Sequence, residues 1–195
     1  GRGRCRPPRS VRAGSPAGLA PLLVGERLDS LRGLLDAAGV DALLVTSSTN
    51  IRYLTGFTGS AGSLWVDVDR AVLVTDGRYR DQAPDQTGAA GAVVEVVVMG
   101  GGDRSPIATL AGGCSSVGLE AGSITWAEQR RLAELLPSTP LATDGLVEGL
   151  RELKDEGEVD RIAAAAAIAD RALAEVLPSI QDGAVEEEIA MALDH

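Results

Sequence analysis

The run Ala42-Leu-Leu-Val-Thr46 is continuous, apolar and short, and it constrains the fold more than any other segment. It is too short for a helix and shows no polar alternation, so it reads as a strand covered on both faces. A first helix is at hand. From near Gly25, Leu28, Leu31, Leu34 and Leu35 fall on one helical face, and Gly39 suits the position just past the helix end.

Further strand signals alternate with helical ones. Asn50 to Leu54 reads as a helical turn, and Gly56, Gly59 and Gly62 punctuate a flexible loop. Leu64 to Val68 and Ala71 to Thr75 form an expected hairpin turning at Asp69-Arg70. A short helix is expected from Gly77 to Gln86, a strand over 92–99 stopped by Gly100-Gly101-Gly102, and a helical segment over 107–111. Ser116 to Leu119 reads as a strand, Trp126 to Leu136 as a helix stopped by Pro137, and Pro140 to Thr143 as a last strand. This order predicts an α/β layer around a mixed sheet.

Near Glu148 the strand signals vanish. Asp155 with Glu158 three residues later makes a capping-box pair. Val159, Ile162, Ala166, Ala169, Leu173 and Val176 then form one apolar stripe down a helix ended by Pro178. A second helix starts at Val185 and reaches the last residues with no capping signal, so the chain is expected to be truncated there. Two apolar-striped helices with no sheet to cover do not complete a domain.

Charge and composition remove several functions. Arg2, Arg4, Arg6, Arg9 and Arg12 stand in a stretch without acids. The remaining residues set 28 acids against 13 bases, a net charge of −15, which disfavours nucleic-acid binding. Residues 1–24 read as a disordered basic arm, since Gly, Pro and Ser surround the arginines. No apolar run approaches the length of a membrane span. Cys5 and Cys114 are too few and too far apart for a disulfide framework, which fits a reducing, cytoplasmic setting. His195 is the single histidine, so Ser-His-Asp, Cys-His and HExxH chemistry within this chain is excluded.

Two segments are candidates for chemistry. Gly56-Phe-Thr-Gly59-Ser-Ala-Gly62 lacks the spacing of a dinucleotide fingerprint and the Lys-Ser/Thr of a phosphate loop. It remains either a mobile loop that approaches a ligand or partner chain, or a plain connection. In Asp76-Gly77-Arg78-Tyr79, Asp76 can cap the following turn. Arg78 can clamp a carboxylate bidentately or form only a surface ion pair. The carboxylates of Asp67 and Asp69, and of Glu186, Glu187 and Glu188, suit a turn and a helix start better than a metal site.

Several of these segments, taken in order, carry a resemblance. Thr49-Asn-Ile-Arg-Tyr-Leu-Thr-Gly-Phe57, Gly59-Ser-Ala-Gly62 and Leu73-Val-Thr-Asp-Gly-Arg-Tyr79 resemble the creatinase-type N-terminal domain of Xaa-Pro aminopeptidases and Xaa-Pro dipeptidases (prolidases). Val117-Gly-Leu-Glu-Ala121 is similar to the family's later strand. Leu150-Arg-Glu-Leu-Lys-Asp-Glu156 and Ala165 to Asp170 are similar to its domain junction and first catalytic-domain helix.

The resemblance implies a mixed-sheet, ribonuclease-H-like α/β domain over 25–148. The helical start of a pita-bread α+β metallopeptidase domain follows over 149–195. It also implies a homodimer acting on peptides with proline at the second position. Two divalent ions (manganese, cobalt or zinc) would be held by two Asp, one His and two Glu. A metal-bound hydroxide would attack the amide before proline. No position of this chain matches those ligands, so no metal or catalytic residue is carried over. A smaller departure is Val185, where the family often has Thr to cap the helix.

What is carried over is a gating loop containing Phe57, Ser60 and Ser63, which would reach over the partner subunit's active site. Phe57 would pack on an apolar substrate group there, and Ser60 or Ser63 would hydrogen-bond. Asn50, Tyr53, Asp76 and Arg78 are expected to hold the domain together. The alternatives on the same fold are a non-catalytic peptide- or protein-binding module and a creatinase-like amidinohydrolase.

Overall fold

A computed structural model describes residues 20, 22–100 and 105–193. Most of the basic arm, together with Cys5, His195 and the glycines at 101 and 102, lies outside these residues. The described residues form two compact units, one over Leu23–Leu153 and the other including the helices after Lys154.

The first unit opens with α1 (Val24–Leu35), whose Leu28, Leu31 and Leu35 are buried. Gly39, at φ +70°, turns the chain into β1 (Ala42–Val45), buried at every residue as its composition requires. Next come α2 (Ser48–Thr55), β2 (Gly62–Asp67) and β3 (Ala71–Asp76). The expected hairpin is present, and its turn is built by Asp67. One carboxylate oxygen of Asp67 accepts the backbone N–H of Asp69 (3.0 Å) and Arg70 (2.8 Å), which replaces the missing Asn-Gly chemistry. The expected helix over 77–86 is split. A 3₁₀ turn (Gly77–Tyr79) capped by Asp76 precedes α3 (Gln82–Ala89).

The unit continues with β4 (Glu95–Met99), α4 (Pro106–Leu110), β5 (Val117–Glu120), α5 (Trp126–Leu135), β6 (Leu141–Thr143) and α6 (Leu146–Glu152). Strand order is β4-β3-β2-β1-β5-β6. β2 alone runs antiparallel to its neighbours, so the sheet is mixed, as expected. Strand alternation sends Leu43, Val45, Leu64, Val66 and Leu73 to one face, where they pack with α1, α2 and Val147 of α6. Ala42, Leu44, Trp65, Val72 and Val74 face the other layer, under α4 and α5. The result is three layers, helix on sheet on helix.

α6 belongs to the first unit, and its Val147 is buried in that unit's core. The second unit contains α7 (Glu156–Val176), a 3₁₀ turn (Leu177–Ser179) and α8 (Glu186–Leu193). The capping box forms as expected. Glu158 N–H donates to Asp155 at 2.8 Å, and Asp155 N–H donates to the Glu158 carboxylate at 3.1 Å. Ala20 joins this unit by donating to Asp160 at 3.2 Å. Val176 is buried, but the rest of the apolar stripe is not covered. Val159, Ile162 and Leu173 are each about half exposed.

Candidate functional site

The loop between α2 and β2 is built around Phe57. Gly56 ends α2 at φ +77°, and its N–H donates to the Arg52 carbonyl at 2.8 Å. Phe57 follows with its N–H on Thr55 Oγ1 (3.1 Å) and its ring 1% exposed in the core. The ring meets Tyr79 edge to face with centroids 5.4 Å apart. The loop then folds over the ring so closely that a Cβ at Gly59 would lie 2.2 Å from Phe57 Cζ. Glycine here permits close approach rather than motion.

The outer side of the loop is pinned as well. Thr58 N–H donates to Gln86 Oε1 at 2.9 Å. Ser60 N–H donates to the Tyr79 hydroxyl at 3.1 Å, and the two hydroxyls lie 2.8 Å apart. The bond with the Ser60 hydroxyl draws the Tyr79 pKa below its ordinary value. The flexible loop expected from the glycine spacing is therefore a held one. The Phe57 ring is a core side chain. Ser60 is exposed, and Ser63 is half-buried in β2.

Ser60 and Ser63 both line an open cavity of about 750 Å³ at the carboxyl ends of β1, β3 and β4. Leu44, Val74, Ile107 and Leu132 give it an apolar wall. In an open α/β sheet this end of the strands is where ligands settle. Asp76 is also on the lining. Its carboxylate caps the 3₁₀ turn at Arg78 N–H (3.0 Å) and takes a bidentate grip from Arg78 Nε (3.1 Å) and Nη2 (2.8 Å). That grip, led by the Arg78 side-chain hydrogen bond, holds the Asp76 carboxyl below the usual carboxylate range. Arg78 thus clamps the carboxylate two residues before it, with its side chain 66% exposed. The surface ion pair is the alternative that is realised.

Asn50 and Tyr53 lie on the opposite side of α2, toward α6. Asn50 is fully buried; its amide donates to Glu120 (2.7 Å) and to Glu148 (2.6 Å) and accepts from Arg151 (3.0 Å). Tyr53 donates its hydroxyl to the Leu150 carbonyl at 3.1 Å, and the Arg27 guanidinium stacks 4.1 Å from its ring centroid. Glu120, Glu148, Arg151, Tyr79 and Gln86 were not singled out from the sequence. One signal was there to find: Glu120 is an acid closing a short apolar strand, a position that demands buried donors.

Among the described residues no group of three or more His, Cys, Asp or Glu side chains is placed to hold a metal ion. Asp67 is occupied by the hairpin turn and by Trp65 Nε1 at 2.8 Å, and Glu186, Glu187 and Glu188 open α8.

Comparison with known proteins places this geometry in a family. The creatinase/prolidase N-terminal domain model matches residues 27–153. The "Uncharacterized peptidase YqhT" of Bacillus subtilis strain 168 is 34% identical over 174 residues, covering 86% of this chain and 47% of that protein. Among solved structures, an Xaa-Pro dipeptidase from Bacillus anthracis superposes with a TM-score of 0.81 at 32% identity. It covers 87% of this chain and 47% of its own. The N-terminal domain of the cytoplasmic peptidase PepQ from Mycobacterium tuberculosis H37Rv matches with a TM-score of 0.57 at 36% identity. That match covers 65% of this chain and 99% of the solved domain. The chain spans about half the length of the Bacillus subtilis relative. A family match over most of the first unit, joined to these likenesses, shows that the chain belongs to the creatinase/prolidase N-terminal domain family found in Xaa-Pro peptidases.

Proposed function

We propose that this chain is the N-terminal part of a metal-dependent exopeptidase that cleaves Xaa-Pro bonds. The observation that carries the reading is the likeness to a solved Xaa-Pro dipeptidase over 87% of the chain. The first unit alone, Leu23–Leu153, is too short to supply that coverage. In this reading the first unit gates substrate and takes part in a homodimer. The two divalent ions, manganese, cobalt or zinc, belong to a catalytic part outside these residues.

The described residues do not fit a metal centre. What this chain contributes is placement. The pinned loop holds Ser60, and β2 holds Ser63, on the cavity lining without an ordering cost at each turnover. A dedicated enzyme also has a physical reason to exist. The bond before proline is a tertiary amide with no N–H, so strand-reading protease clefts hold it poorly. No helix among the described residues is long and apolar enough to cross a membrane. Cytoplasmic location belongs to the proposal, supported by the PepQ likeness.

The test is hydrolysis of a short Xaa-Pro peptide with added manganese or cobalt. The longer reading frame containing this chain should release the residue before proline, and the purified 195-residue chain should not. Clear turnover by the chain alone would overturn the placement of the metal site. An inactive longer protein that still bound the peptide would favour a binding module instead. Sedimentation of the longer protein as a monomer would remove the dimer.

A further inference from the structure

The cluster around the buried Asn50 has a geometry that ordinary core packing does not need. The Asn50 amide nitrogen serves two carboxylates from distant parts of the chain, Glu120 on β5 and Glu148 on α6. Its oxygen takes Arg151 Nη1 from the next turn of α6. One side chain therefore uses both amide hydrogens and its carbonyl oxygen. Glu120 is fixed in turn, because its second oxygen accepts the Thr46 and Ser47 N–H groups (2.6 and 2.8 Å) where the chain enters α2. One turn further along α2, Tyr53 holds the Leu150 carbonyl. α6 is thus tied to α2 at Glu148, Leu150 and Arg151. It is the last element before the chain leaves the first unit after Leu153.

The other end of α2 is the pinned loop. Thr55 Oγ1 donates to the Ile51 carbonyl (2.7 Å) and accepts the Phe57 N–H (3.1 Å), so the helix passes into the loop without a free joint. An eight-residue helix is about 12 Å long, too short to bend appreciably. Attachment at one end of such an element restrains the other end.

We propose that Asn50 is a positioning residue, which locks α6 to α2 and makes α2 a single strut between the Phe57–Ser60 loop and the exit of the chain at Leu153. Its loss would remove the one amide that Glu120 and Glu148 share and the acceptor of Arg151, which loosens α6 in its seat. The loop at the far end of α2 would then lose a fixed support. The inference does not depend on the peptidase reading, and its test involves no turnover.

The experiment is amide hydrogen exchange on the full 195-residue chain, comparing Asn50→Ala with the parent. Exchange should quicken at least about tenfold both in 146–152 and at Phe57, Thr58 and Ser60, while the amides shared by β2 and β3 keep their protection. Faster exchange confined to α6 would overturn the strut. A uniform rise across the sheet would mean general destabilisation and would overturn it too. Tyr53→Phe keeps the ring under Arg27 and removes the hydroxyl's bond to Leu150. It gives the same paired pattern at lower amplitude and decides the matter if Asn50→Ala does not fold. Asn50→Asp retains an acceptor for Arg151 but no donor, so it should stay loosened; full protection would overturn the shared-donor argument.

Discussion

At residue scale, contact distance governs the loop rather than flexibility. Gly59→Ala would drive a methyl group into the Phe57 ring and should cost about 1–3 kcal/mol in urea unfolding. Phe57→Ala should cost about 3–5 kcal/mol by emptying a fully buried site. Because the two residues touch, the double variant should lose less than the sum of the single ones. Asp67 supplies a prediction in pH. Burial pushes its carboxyl up, but the Trp65, Arg70 and Asp69 donors outweigh that and leave it below its ordinary value. A depressed folded-state pKa gives stability that is present above the unfolded value, about 3.9, and is lost as pH falls through the folded one. Asp67→Asn should therefore lower the Tm at pH 7, and the gap to the parent should narrow by pH 2.5.

At the scale of elements, α6 and α7 make opposite demands. α7 starts on a self-contained capping box, so Asp155→Ala should cost about 1 kcal/mol locally. The change would be read as helical fraying by circular dichroism in heat or urea, with the sheet of the first unit unaffected. α6 has no side-chain cap and is held by tertiary partners. A chain ending at Leu153 should unfold cooperatively, and one ending at Gly145 should show a lower urea midpoint. The shorter chain loses buried Val147 and leaves Asn50 without two of its partners.

For the whole molecule, the two units differ in how far they satisfy themselves. The first has a core on both faces of its sheet, and a solved N-terminal domain of a related peptidase corresponds to it almost end to end. The second leaves Val159, Ile162 and Leu173 of the α7 stripe about half exposed. An apolar stripe of this extent is a surface for burial against further protein. The longer protein should therefore protect α7 amides from exchange more strongly than the 195-residue chain does, while leaving β1–β3 unchanged. Equal protection in both would show that α7 needs no cover.

Much of this was legible in the order of residues, and some of it was not. The β1 run, the helical spacing of Leu28, Leu31 and Leu35, the Asp155–Glu158 box and the Asp76 cap depend on neighbours within a few positions, so local chemistry determined them. The resemblance of the Thr49–Phe57 and Leu73–Tyr79 segments also pointed to the family. Tertiary structure decided the rest. Phe57 became a core residue because Gly59 and Tyr79 close over it. The glycine-rich loop became a fixed one because Tyr79 and Gln86 reach it from a separate part of the chain. Glu120 and Glu148 could share one amide only after the sheet and α6 had brought them to Asn50. Periodicity determines which residues must be buried; it carries no information about which distant donor will meet which acceptor, because that follows from the packing of the layers.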